Sequence, residues 1–187
     1  MLWCWRESYY ISGIKLFENM LKYNCMKCFH IYKFKLCALG IAEKEGAISN
    51  VFFENDKPPV NFEKNETPLI KKAARQLEEY FDGKRKVFDL PLAFHSTAFK
   101  EKVWEALLSI PYGETRSYGD IAAMIDNPKA SRAVGNANNT NQIVIIVPCH
   151  RVIGHDGSLT GYAGGLELKQ KLLDLEKDVI KTKDVNV

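Results

Sequence analysis

Apolar and polar positions alternate every second residue early in the chain and recur every third or fourth residue later. Residues 31–37 alternate apolar with basic side chains, and residues 48–53 carry Val51, Phe52 and Phe53, so both stretches read as strands. Glu45 and Gly46 between them read as a turn, and residues 55–61, with Pro58 and Pro59, as a loop. Thr67 before Pro68 predicts a helix start, a capping residue followed by proline at the first helical position. Leu69, Ala73, Leu77 and Tyr80 follow at helical spacing until Asp82 and Gly83 stop them, and residues 87–90 read as a short closing strand.

The rhythm becomes mainly helical past a boundary near Pro91. Phe99, Val103, Leu107 and Ile110 form one stripe, ended by Pro111 and Gly113. Ser117 and Asp120 predict a capping box opening a second helix over residues 118–125. Asn127 and Pro128 predict the cap of a third helix, from Lys129 to about Asn138. Two short helices joined by a tight turn are the helix-turn-helix pattern, with the third helix in the recognition position. A strand is expected at residues 143–147, then a glycine-rich loop over 154–165, then a final helix with Leu168, Leu172 and Leu175 on one face. Residues 1–27 fit neither rhythm. They read either as an extension with a helix near 11–23 or as an over-long start, with translation beginning at Met20 or Met26.

Composition narrows the class. Of 187 residues, 46% are hydrophobic and 26% charged, the balance of a folded globular chain and not of a disordered one. The longest dense apolar run, residues 143–147, falls far short of the ~20 residues of a spanning helix, so no membrane partner is expected. The net charge is +3, with six basic against two acidic residues over 1–40 and nine against nine over 91–177. A neutral C-terminal half binds DNA through shape, dipoles and a few placed cations, not through bulk charge. The five cysteines, Cys4, Cys25, Cys28, Cys37 and Cys149, do not resemble a disulfide framework. With no signal-peptide pattern near Met1, a reducing cytoplasm is the expected location.

Cys149 carries the chemistry. An isolated cysteine after an apolar strand is ordinarily core. Here Pro148 ends the strand before the sulfur and His150 and Arg151 follow it, neighbours that favour a thiolate. The adjoining glycine-rich loop suggests an exposed, reactive side chain.

These residues resemble the O6-alkylguanine-DNA alkyltransferases. The resemblance rests on PCHRV at 148–152, IPYGETRSYGDIA at 110–122, NPKASRAVGNANN at 127–139 and GSLTGYAGGLELKQKLLDLE at 157–176, and extends loosely through residues 36–54. It implies an α+β fold: a ribonuclease-H-like α/β domain over 28–90 and a mainly helical, winged-helix-like domain with the helix-turn-helix over 91–178. Residues 1–27 are then an extension and 179–187 a tail. The resemblance implies irreversible single-turnover transfer of the alkyl group from O6-alkylguanine, and O4-methylthymine, in double-stranded DNA to Cys149, by a monomer without cofactor or metal. By the same resemblance His150 deprotonates the thiol through a water, Glu176 orients the imidazole, Asn141 bonds near this relay and Tyr118 protonates the leaving guanine. Arg132 fills the stack after the nucleotide leaves, with Ser131, Ala133, Gly135, Asn136 and Arg151 also at the DNA. Pro148, Val152, Tyr162, Ala163 and Gly164 wall the base pocket.

The physics runs the same way. The reactive carbon is hidden inside a duplex, so the nucleotide must be extruded at a cost of a few kcal/mol. The long planar cation of Arg132 suits the gap, and the small Ala133, Gly135, Asn136, Ala137 and Asn138 allow close approach to a groove. Two features depart from the family pattern. Gln142 stands where proline is usual, which predicts a looser loop at Asn141. Cys25, Cys28 and His30 offer three zinc ligands, with only Cys37 or His95 for a fourth. Two other classes compete: a cysteine protease, against which the adjacency of Cys149 and His150 argues, and a non-catalytic lesion binder, against which Cys149 itself argues.

Overall fold

The computed structural model describes residues 27–184. The helix expected near residues 11–23, the alternative starts at Met20 and Met26, and Cys4 and Cys25 lie outside the described residues. Strands β1 (Lys27–Lys33), β2 (Ala38–Lys44) and β3 (Ala47–Phe53) form an antiparallel meander. A two-residue strand, β4 (Glu63–Lys64), adds in parallel to β1, giving the order β3-β2-β1-β4. Glu45 and Gly46 both take positive φ, 54° and 78°, as a two-residue hairpin turn with right-handed strand twist requires.

Helix α1 (Pro68–Phe81) starts where expected, with the Thr67 hydroxyl accepting from the Ile70 N–H. Its Ile70, Ala73, Leu77, Tyr80 and Phe81 are buried in the same core as Leu39, Ile41 and Val51 of the sheet. Each large apolar side chain buried there is worth about 1.5–3 kcal/mol.

In the second half, α2 (Ala98–Leu108) leads through a turn to β5 (Arg116–Ser117) and α3 (Tyr118–Met124). The predicted capping box is formed, Asp120 accepting from the Ser117 N–H at 2.8 Å and Ser117 from the Asp120 N–H at 3.1 Å. Helix α4 (Ser131–Asn139) is tied to α2 by the Trp104 indole, which donates to the Ala137 carbonyl at 2.9 Å. A 3₁₀ turn (Cys149–Arg151), strand β6 (Val152–Ile153) parallel to β5, and helix α5 (Leu166–Asp184) complete the chain. One core runs from the sheet through residues 143–147 into α2, α3, α4 and α5.

Several expectations are corrected. Residues 143–147 are a compact turn, not a strand, touching β3 only through an Ile143–Val51 bridge. The Asn141 side chain takes the place of a partner strand there: its Oδ1 accepts from the Ile143 N–H and its Nδ2 donates to the Val147 carbonyl. Residues 87–90 are not a strand, because the Gln76 amide captures both backbone groups of Asp89. The backbone instead rejoins β3 at Pro91 and Ala93, whose carbonyl and N–H pair with Ile48. Asn127 and Pro128 do not cap α4; they lie in the turn, and the helix starts at Ser131 without a side-chain cap. Nor do residues 179–187 begin as a tail. Helix α5 continues to Asp184 because Val179 and Ile180 pack over the positive-φ turns at Gly83 and Gly113, where a Cβ would lie 2.6 and 2.2 Å from them.

Candidate active site

Cys149 opens the 3₁₀ turn that follows the Asn141-braced loop, and it is buried, only 3% exposed, where the sequence suggested an exposed side chain. Its sulfur accepts a hydrogen bond from Asn141 Nδ2 at 3.1 Å. Ile145, in the loop before it, holds φ at 72°, a left-handed conformation that costs a β-branched residue about 1–3 kcal/mol. At the Gln142 position the Val51 N–H donates to the backbone carbonyl at 2.8 Å, and Asn141 is bonded on both amide atoms. Burial pushes the Cys149 thiol up, against the lowering by Asn141 and the Lys169 charge. The sulfur therefore rests protonated, and the expected thiolate must form during attack.

His150 and Glu176 are fully buried, with Nε2 and Oε1 2.9 Å apart. The carboxylate also accepts from Tyr80 Oη at 2.6 Å, from the Gly113 N–H at 2.9 Å, and from Arg151 Nη2 and Nε at 2.9 and 3.0 Å. Burial would raise Glu176, but the bonds from His150 and Arg151 overcome it and hold it at about 2. Burial holds His150 below its ordinary value in spite of Glu176, so at neutral pH the imidazole is uncharged and Arg151 balances the carboxylate. With Nε2–H given to Glu176, the lone pair lies on Nδ1, which is buried without a protein partner.

Arg151 does not reach the surface expected for a DNA contact. Its guanidinium is buried between Glu176 and the Ile110 carbonyl, 2.7 Å from Nη1, and lies over the Tyr112 ring. Sequence reasoning missed Tyr80 and Lys169 entirely. Tyr80 reads as one member of an apolar stripe. Lys169 is fully buried, and its Nζ clips the glycine-rich loop by donating to the Val152 and Thr160 carbonyls at 2.6 and 2.8 Å.

The remaining expected residues fall on two faces. Tyr118, Ser131, Arg132, Gly135 and Asn136 line one open groove of about 630 Å³ with Asn139, Thr160 and Gly161. Arg132, Ala133 and Asn136 are exposed, whereas Ala137 and Asn138, expected at the groove, face the core. Tyr118 Oη accepts from Thr160 Oγ1 at 3.0 Å, so the groove and the loop after β6 meet at the phenol. The expected base pocket is dispersed. The Tyr162 hydroxyl is buried, and burial first and the Cys149 sulfur second raise it well above its ordinary value. Ala163 and Gly164 open instead onto a cleft of about 420 Å³ shared with Cys37 and Phe53. Pro148 lines a cleft of about 190 Å³ with Tyr112 and Arg151, and Val152 is core. Among the described residues no cluster of three His, Cys, Asp or Glu side chains is arranged to hold a metal; Cys28 and His30 lie on β1, and Cys25 lies outside the described residues.

Residues 98–178 match the family model for the DNA binding domain of 6-O-methylguanine DNA methyltransferase, and residues 27–94 that for its ribonuclease-like domain. The chain is 48% identical to a methylated-DNA–protein-cysteine methyltransferase of Methanosarcina mazei, over 82% of this chain and 99% of that protein. It is 51% identical to the constitutive enzyme of that name from Bacillus subtilis, over 78% of this chain and 92% of the relative. Its fold is similar to the crystal structure of Mycobacterium tuberculosis OGT in complex with DNA, with TM-score 0.76 and 43% identity over 81% of this chain and 93% of that one.

Proposed function

Because the chain belongs to the 6-O-methylguanine DNA methyltransferase family, we infer that it repairs alkylated DNA by taking the alkyl group onto its own Cys149. Its activity is that of a methylated-DNA–protein-cysteine methyltransferase and its partner is DNA. The residue roles are our proposal. The observation that carries them is the buried His150 Nδ1, left free while Nε2 is fixed to Glu176 in the residue next to the reactive thiol.

The sulfur gives its proton to His150 Nδ1 through a water as it attacks the alkyl carbon. An S–C bond forms, the C–O6 bond breaks, and the electron pair leaves on the guanine. Tyr118, whose oxygen accepts from Thr160 and whose own proton is thus free to point into the groove, protonates the departing base. Asn141 Nδ2 stabilises the sulfur as it acquires charge. Arg132, with Ser131, Ala133, Gly135 and Asn136, meets the duplex carrying O6-alkylguanine or O4-methylthymine. Its side chain fills the place of the extruded nucleotide. We place this monomeric, two-domain protein in the cytoplasm.

A thioether is not readily displaced by water, so the reaction is stoichiometric. Incubated with excess O6-methylguanine duplex, the chain should gain one methyl at Cys149 and stop, and Cys149→Ala should bind the duplex without transfer. Peptide mass spectrometry decides. Repeated turnover, a methyl on another cysteine, or reversible binding alone would overturn the reading.

A further inference from the structure

We propose that Tyr80, on the helix packed against the N-terminal sheet, is a positioning residue for the alkyl-transfer relay: its hydroxyl fixes Glu176 against His150. This rests on the repair reading above and extends it to the other half of the chain. Tyr80 Oη donates to Glu176 Oε1 at 2.6 Å and lies 3.3 Å from His150 Nε2, so the phenol sits beside the Glu176–His150 bond itself. The ring is fully buried and held edge-on by Phe81 and Tyr112 and at a tilt by Phe88. A phenol that served only to fill space would not need its oxygen at the one carboxylate of the relay.

Glu176 Oε1 accepts from three side chains at once, and each fixes a different direction. Arg151 supplies charge from within the second half of the chain, and His150 is the group to be oriented. Tyr80 is the one of the three contributed by α1, across 96 residues of sequence. The groups facing the pair are therefore Tyr80 from α1, Tyr112 from the turn after α2, Arg151 and Cys149 from the 3₁₀ turn, Tyr162 from the glycine-rich loop and Lys169 from α5 itself. Burial and the neighbouring carboxylate hold the Tyr80 phenol protonated well beyond its usual range, so it stays a donor to Glu176 throughout the working range of the protein.

Removing that donor has a signed consequence. Without the Tyr80 O–H, the Oε1 electron density turns more fully onto the imidazole, which favours imidazolium and removes the neutral base. The acid limb of the transfer rate should then move to higher pH. The carboxylate, freed on one side, should also hold the ring less well.

The test uses the full chain with free O6-benzylguanine, so that DNA binding does not enter. Rates are followed across pH for the wild type, Tyr80→Phe and the packing control Ile70→Val, buried on the same helix ten residues earlier, with the His150 imidazole titrated by ¹⁵N NMR in each. We expect Tyr80→Phe to lose about tenfold in rate at neutral pH, the scale of one hydrogen bond to a charged group. Its acid limb and its His150 titration should both move upward. Ile70→Val should lower the melting temperature and move neither. Unchanged rate and titration in Tyr80→Phe, or equal rate losses in both variants with no pH displacement, would overturn the proposal while leaving the repair reading intact. A wild-type chain that transfers nothing to Cys149 overturns both, and the NMR titration still reports whether Tyr80 tunes His150.

Discussion

At the scale of single residues, Cys149 is held as a protonated thiol and not as a standing thiolate. Burial raises Cys149, and its cationic neighbour in sequence, Arg151, spends its charge on Glu176. The two neighbours that suggested a thiolate are thus engaged elsewhere: the imidazole is bonded to Glu176, and the guanidinium balances that carboxylate. If Glu176 acts on the sulfur only through His150, the two side chains form one unit. His150→Ala and Glu176→Ala should each slow transfer from a free-base substrate by about 10²-fold or more. The double variant should lose little beyond the larger single loss. Rates of the four proteins across pH measure this directly. Multiplicative losses would mean that Glu176 serves the fold through Arg151 and Gly113 alone.

At the scale of elements, α4 has a groove face, proposed to meet the duplex, and a core face turned away from it. Arg132 is exposed on that face, whereas Trp104 and Ala137 hold the opposite face in the core. Arg132→Ala should therefore slow repair in duplex DNA far more than reaction with free O6-benzylguanine, because a free base leaves no gap to fill. Equal losses on both substrates would reassign Arg132 to support of the fold. The same elements show what was legible beforehand. Helix α1 with Thr67 and Pro68, the Glu45–Gly46 hairpin and the Ser117–Asp120 box were readable because each depends on neighbours within a few residues. Residues 143–147 misled because five apolar residues, largely β-branched, carry no mark of the side chain that binds them, Asn141. Lys169 and Tyr80 were invisible for a related reason: their partners, Val152 and Glu176, lie 17 and 96 residues away. A charged or aromatic residue at helical spacing looks the same whether it packs or positions.

At the scale of the molecule, one core joins the sheet to the helical half, and the buried polar cluster sits where they meet. That placement ties stability to pH with a definite sign. His150 is held below its ordinary value of 6.5, so the folded chain binds fewer protons there than the unfolded one, and stability falls as pH drops below about 6.5. Glu176, at about 2 against 4.5, contributes stability that is fully present above 4.5 and lost as pH falls through 2, a second loss in the same direction. On the alkaline side the sign reverses. Cys149 is raised above 9.0, and Tyr80 and Tyr162 well above 10.0, so their contribution is complete below those values and is lost as the unfolded chain gives up protons that the folded one keeps. The melting temperature should therefore be flat from about pH 7 to 9, fall on acidification in two steps, and fall again above 9. Thermal unfolding followed by circular dichroism across this range checks it. A melting temperature that rises between pH 7 and 5 would mean that His150 is stabilised as imidazolium, and with it that the neutral base assigned to the relay is wrong.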